Sequence, residues 1–446
     1  MQQGFPHLHV ASACSPHYGV TMPVALVAQG AAAGSDFLAL TNTDGLYDAV
    51  KHVRACPSAG IRPGPGADLA VHDDEHRPLG RVTVLARAGH GRGYAALCRA
   101  VSSAHQTGRM PSIDRRQLAT WAEGHTLTVL LCPLSDVPLA VERRDSLDAT
   151  AALGAWLRVM PIGSVTLEVA CHLAPTGQRG SVAAATRMLG LSEDTGTTAI
   201  LSNAVRYGEP EDAATADLAD ATRLLRALAQ LTEPQANGQA WLKDSVHMRR
   251  VARMVVDAGA RNPGALDLLF RTTQELADRC ALDPAEDLGL GTPRMPEASI
   301  IDVVGDPVAE LWRRALAPSS ARHRRPLRRH HPHRRRPTEL AHKMETVEHL
   351  AFAAYFLTVA RVTYLIRGMG VRVQARGSGV GSALKYALRT SSVEPIENGL
   401  IWERFLSPER QTLPDIDLLT SSSPGATTST AKCSRLSAPT ASRSCR

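Results

Sequence analysis

No stretch of this 446-residue chain approaches the roughly 18 to 20 consecutive apolar residues that a membrane-spanning helix needs. The opening MQQGFPHLHVASACSPHYG also lacks the charged-then-apolar pattern of a secretory signal. A cytoplasmic protein with no membrane association is therefore expected. Also missing is any CxxC pair or short Cys/His ladder: Cys14, Cys56, Cys98, Cys132, Cys171, Cys280, Cys433 and Cys445 are scattered. That spacing indicates neither a zinc site nor a disulfide framework, so the cysteines are read as reduced thiols, mostly in cores. What the chain does have is length and 44% hydrophobic residues, enough for large cores and two or three domains.

Acid is absent from two short stretches, and these account for the basic character of the whole. The net charge is +7, yet RHRRPLRRHHPHRRR, Arg322 to Arg336, holds eight arginines and no acid. Without it the balance is −1. Beyond Leu418 come Lys432, Arg435, Arg443 and Arg446, again with no acid, so the remaining body carries −5. The basic charge belongs to these stretches and not to a folded surface. Such low-diversity Arg/His/Pro and Ser/Thr/Ala/Pro text is what a GC-rich gene yields when read out of frame. A basic linker that binds phosphate without specificity is the alternative for the first.

Residues 1–215 alternate strand-like runs with helical patterns. VTVLAR (82–87), LTVLLC (127–132), VTLEVA (165–170) and TAILSN (198–203) have strand length and composition. SLDATAALGAWLRVM and GSVAAATRMLG between them have helical spacing. The alternation predicts an α/β unit with a largely parallel sheet or barrel. Residues 216–317 show little strand signal and are read as a helical connector. Residues 318–337 form the anomalous basic segment, and 338–418 return to order. Within it, 339–370 predicts one or two helices, and VRVQARGSGVGSALKYAL predicts strand, glycine turn and helix. Residues 419–446 have no apolar periodicity and are expected to be disordered.

Two constellations could carry chemistry. In ARGSGVGSALKYAL, Gly377, Gly379 and Gly381 permit a tight turn whose free N–H groups suit a phosphate. In LPDID, Asp415 and Asp417 would share one face of a strand, because side chains at i and i+2 point the same way. Two carboxylates there offer hard oxygen ligands to Mg²⁺. A common glycine turn and an exposed DxD loop are the plainer alternatives on local spacing alone.

Four blocks taken together, EHLAFAAYFLTVA (348–360), VRVQARGSGVGSALKYAL (371–388), VEPIENGLIWERFLSPER (393–410) and LPDID (413–417), resemble the start of the palm of bacterial DNA polymerase III α subunits. This is the C family that includes the error-prone type. The resemblance implies that Gly377 and Ser378 contact the phosphates of an incoming nucleotide. It implies that Asp415 and Asp417 are two of three aspartates holding Mg²⁺ for two-metal nucleotidyl transfer. Primer-template DNA, deoxynucleotides, and replisome or repair proteins are the partners it implies for the complete enzyme.

At the front, FPHLHVASACSPHYG, LALTNTDGLYDAVK, AGIRPGPGADLAV and LSNAVRY resemble the polymerase-and-histidinol-phosphatase (PHP) domain, a (β/α)₇ barrel that opens these subunits. The family's metal-binding His-x-His falls on His9 and Ala11. Its Asp-His falls on Asn42 and Thr43, and its late Asp-x-His on Ala204 and Arg206. Only His9, with Asp68, retains ligand chemistry, too little for a multinuclear centre. No barrel metal is expected, an active metal phosphoesterase is disfavoured, and His7 and His9 are read as buried, hydrogen-bonded histidines. The expectation is an N-terminal fragment with a degenerate barrel and a partial palm, inactive alone, or else a docking scaffold for protein partners. The family's palm text is not continued after Leu418, which is read as a frameshift and truncation.

Overall fold

The structure is a computed structural model that describes residues 4–106, 110–231, 237–259, 264–291, 295–317, 336–395, 398–401, 405–410 and 413–420. It divides into two compact units, Met1–Gly291 and Thr292–Arg446.

The first unit is built on seven strands: β1 Phe37–Thr43, β2 Arg62–His72, β3 Pro78–Ala86, β4 Ile113–Asp114, β5 Leu127–Leu131, β6 Val165–Ala170 and β7 Ala199–Ser202. Their order is β1-β2-β3-β5-β6-β7, with β4 on the end of β2. β3 runs antiparallel to both neighbours; the other pairings are parallel. Residues 7–11 link the two outer edges. On one side the Ala39 N–H donates to the His7 carbonyl at 2.8 Å and the Thr41 N–H to the Val10 carbonyl at 2.8 Å. On the other, the Val205 N–H donates to His9 O at 2.9 Å and the Ala11 N–H to Val205 O at 2.8 Å. The sheet thus curls round as a barrel wall, the α/β architecture the alternating pattern predicts.

The strands are apolar on both faces because both are covered. Leu69, Val82, Val84, Val129, Leu131, Leu167 and Val169 share one core with helix residues Leu97, Leu153, Trp156 and Met188. Alternate strand residues, Ala39, Leu85, Leu130 and Ile200, pack with Leu276, Ala277 and Cys280 of the helix Gly264–Cys280.

Here the structure departs from the helical-connector reading of 216–317. Val251, Val255 and Val256 of the helix Ser245–Ala258, and Leu269, belong to the sheet's own core. The Thr273 hydroxyl accepts the Leu201 N–H at 2.9 Å. The amphipathic pattern read as a connector is the coat of the barrel, and the division falls after Gly291.

The second unit packs the helices Pro307–Leu316, Arg336–His349 and Ala353–Gly368 through Leu311, Met344, Val347, Phe356, Leu357, Leu384 and Phe405. The predicted helical stretch 339–370 is thus two helices, bent by 116° with Ala351 at a positive φ of 56°. No single helix among the described residues is long and apolar enough to cross a membrane. A two-stranded sheet of β8 Val373–Arg376 and β9 Asp417–Thr420 runs antiparallel with Arg376 opposite Asp417 and Val373 opposite Thr420. Leu419 and Thr420 are therefore strand residues, although 419 was expected to open the disordered tail. Leu418, the residue before them, packs against the cluster of Ile366, Val371 and Val373. The basic segment from 318 to 335 and the tail from 421 lie outside the described residues.

Candidate functional site

At one end of the barrel the structure gathers the positions where the PHP resemblance places metal ligands. His9 is buried, and its Nδ1 donates to Glu168 Oε1 at 2.9 Å. Burial alone would lower this imidazole. The Glu168 carboxylate, with Asp68 further away, outweighs it and raises the pKa above the ordinary histidine value. Ala11 contributes only backbone. Asn42 is a structural hub: its Oδ1 accepts from the Ser12 N–H at 2.9 Å and from the Ser12 and Ser15 hydroxyls at 3.0 Å each. Its amide donates to the Tyr47 carbonyl at 2.9 Å. The Thr43 N–H donates to Ser15 Oγ at 2.9 Å. Ala204 sits at φ 41°, its N–H donating to Ser202 Oγ at 3.0 Å.

Asp68 is captured by Arg81, whose Nε lies 3.0 and 3.1 Å from the two carboxylate oxygens. The same guanidinium reaches Asp44 Oδ1 at 2.7 Å and the Asp68 carbonyl at 2.8 Å through Nη2. Arg206 grips Asp220 with both terminal nitrogens, at 2.9 and 3.1 Å. It also donates to the Tyr18 carbonyl at 2.9 Å and stacks 4.1 Å from the Tyr18 ring centroid. Burial works against both guanidinium charges, yet Asp68 and Asp44 raise Arg81, and Tyr18 with Asp220 raises Arg206, above the ordinary arginine value. Nearby, Lys243 is buried, donates to Asn203 Oδ1 at 2.9 Å, and is lowered to about 8 by burial.

These residues do not fit a multinuclear metal centre. The carboxylate oxygens that would coordinate an ion are occupied by guanidinium donors, and the one retained imidazole is paired with a carboxylate. Glu168, Arg81, Asp44 and Asp220 carry this network without having been singled out from sequence. The available signal was a charged residue inside an apolar strand, Glu168 in VTLEVA and Arg81 in GRVTVLA.

In the second unit, Gly377 follows β8 at φ 76°, and Ser378 opens the tight turn Ser378–Gly381 before the helix Ala383–Ala387. The Ser378 side chain is outside the described residues. Ser382 caps that helix, accepting the Lys385 N–H at 3.1 Å. The β8–β9 pairing brings Asp417 to the turn: a methyl placed on Gly377 would lie 3.9 Å from Asp417 Oδ2. Asp415 and Asp417 are both exposed. Lys385 is wholly buried, its ammonium against Gly379 and without a hydrogen-bond partner among the described residues. Burial lowers it to about 8, against the pull of Asp417 and Asp415. Glycine turn, aspartate pair and buried ammonium thus meet in one region. Two open carboxylates can supply two oxygen ligands to a hard cation.

The barrel, with its ligand positions at one end, defines a PHP-type chain. Residues 7–172 match the PHP domain, and residues 314–424 match the bacterial DNA polymerase III alpha NTPase domain. The chain is 30% identical over 423 residues to the error-prone DNA polymerase of Mycobacterium tuberculosis, covering 93% of this chain and 36% of that protein. To the error-prone DNA polymerase of Symbiobacterium thermophilum it is 29% identical, covering 93% and 37%. To the DNA polymerase III subunit alpha of Xylella fastidiosa it is 28% identical, covering 88% and 31%. A crystal structure of a putative metal-dependent phosphoesterase from Bifidobacterium adolescentis aligns with 58% of this chain and 99% of its own, at 14% identity and a TM-score of 0.32. The chain thus carries a match to the PHP domain followed by a match to the bacterial DNA polymerase III alpha NTPase domain, and over 93% of its length it is similar to error-prone DNA polymerase. It spans about a third of the length of these curated relatives.

Proposed function

We propose that the chain serves DNA synthesis in the cytoplasm, in replication or translesion repair. Its barrel is a non-catalytic scaffold and its second unit is part of a palm that meets a nucleotide and primer-template DNA. The observation that carries this reading is the β8–β9 pairing, which sets Asp417 beside Gly377 inside the stretch matched to the polymerase domain. In this reading Gly377 and Ser378 offer backbone N–H groups to a triphosphate. Asp415 and Asp417 are oxygen ligands for Mg²⁺, which when bound would neutralise charge on the phosphates during transfer. Lys385 adds positive charge beneath the turn. Replisome or repair proteins would dock on the scaffold. The ion pairs that fill the end of the barrel favour that role over a second hydrolytic one.

The geometry supports a binding palm and not a self-sufficient catalyst. Among the described residues no third His, Cys, Asp or Glu clusters with Asp415 and Asp417. Positioning and charge stabilisation supply nearly all of the acceleration in phosphoryl transfer. The 446-residue chain, given Mg²⁺, dNTPs and primed DNA, is expected to add no nucleotide above background in a gel extension assay. Incorporation that disappears in the Asp415→Ala, Asp417→Ala double variant would overturn this.

A further inference from the structure

We propose that the metal-ligand end of this barrel has exchanged bound metal for two fixed guanidinium groups, Arg81 and Arg206, which cross-link it as a metal-independent structural lock. A metal site of this kind holds separate chain segments together by drawing their carboxylates and imidazoles onto shared cations. Here two arginines do the same with directed hydrogen bonds. Arg81, on β3, joins Asp68 on β2 to Asp44 in the loop after β1. Arg206 stands at a position where the family resemblance places a ligand. It joins the chain after β7 to Asp220 on the helix Ala213–Leu224 and to the Tyr18 carbonyl in the N-terminal loop. The planar fork of arginine suits this, since one side chain satisfies several oxygens in fixed directions.

The carboxylates are partnered without a metal. Asp44 and Asp68 face Arg81, Asp220 faces both Arg206 and Arg223, and Glu168 accepts from the His9 ring. A divalent ion entering at Asp68 and Asp44 would have to displace the Arg81 guanidinium from both carboxylates, leaving a largely buried cation with only the Asp68 carbonyl to bond, which is unfavourable. Both Asp68 oxygens lie within 3.1 Å of Arg81 Nε, so an ion binding there would have to compete with that guanidinium. Of the altered ligand positions, 206 takes part in the replacement directly, through the Arg206 bridge to Asp220 and Tyr18.

The test uses the full 446-residue chain. After dialysis against EDTA it is melted alone and with excess ZnCl₂ or MnCl₂, and its metal content is measured by elemental analysis. The wild type is expected to hold no stoichiometric zinc or manganese and to keep its Tm within about 1 °C under all three conditions. Arg81→Met and Arg206→Met are each expected to lower Tm by more than about 5 °C, with Arg81→Lys between wild type and Arg81→Met because an ammonium cannot fork. Should either methionine variant fail to fold, Asp44→Asn removes one arm of the Arg81 bridge and is expected to lower Tm by a smaller amount. Stoichiometric metal in the wild type, a wild-type Tm raised several degrees by Zn²⁺ or Mn²⁺, or an Arg81→Met variant as stable as wild type would each overturn the proposal.

Discussion

His7 and His52 are buried and His172 half-buried, and the Nε2 of each faces a backbone carbonyl: Lys243 O at 2.8 Å, Leu38 O at 3.0 Å and Asn203 O at 2.6 Å. Burial lowers each to about 4. Since an unfolded histidine titrates near 6.5, the unfolded state binds more protons between those values. Stability therefore falls as pH drops from about 6.5 toward 4, by up to about 1.4 kcal/mol per pH unit for each histidine. His9 has the opposite sign. Its raised pKa gives a contribution fully present below about 6.5 and lost as pH rises through the folded value. Urea unfolding between pH 5 and 6.5 should show a steep loss on acidification, made shallower by about one proton in each of His7→Gln, His52→Gln and His172→Gln. An unchanged slope in all three would contradict buried neutral imidazoles. The burial of His7 and His9 is legible in an apolar N-terminal segment, but their partners are not. Glu168 lies 159 residues from His9, and Arg81 lies 37 from Asp44. Such pairs exist only once the strands are laid side by side.

At the scale of elements, strands rich in β-branched residues announce themselves, and β3, β5, β6 and β7 fall where the runs lie. β2 does not, because it begins RPGPG, text that ordinarily marks turns. Its glycines answer a packing need: a side chain at Gly64 would run into the Phe37 ring, and one at Gly66 would come within 2.7 Å of the Val84 carbonyl. The helices after residue 216 were legible as helices but not as part of the barrel, since periodicity gives a helix its apolar face without naming what covers it. That difference is measurable. Leu276 is buried among Leu8, Phe37 and Leu130, so Leu276→Ala should cost about 2 to 5 kcal/mol of the barrel's unfolding free energy. A helix that merely connects would lose far less. A cost below about 1 kcal/mol, followed by urea unfolding with far-ultraviolet circular dichroism, would mean that this helix is not part of the barrel core.

For the whole molecule, charge placement decides where a polyanion such as DNA would bind. The net +7 is the sum of a body at −5 and two basic stretches, with eight positive charges packed into Arg322–Arg336. Non-specific binding to duplex DNA comes from cations that displace condensed counterions, each neutralised phosphate adding about −0.9 to the slope of log K against log salt. An acidic body repels the same backbone. Non-specific affinity should therefore reside in the arginine stretch, with a slope approaching about −7 if all eight arginines engage phosphate. Replacing those eight arginines with glutamine leaves the body unchanged and makes the chain net negative. Fluorescence-anisotropy titrations on an unrelated duplex at about 50 to 200 mM salt should then show most of the affinity lost and the slope collapsed toward zero. Affinity and slope that survive the replacement would assign DNA binding to the folded units instead, and with it a basic groove formed by residues such as Arg367 and Arg372, which line an open depression of about 650 Å³ beside β8 and β9.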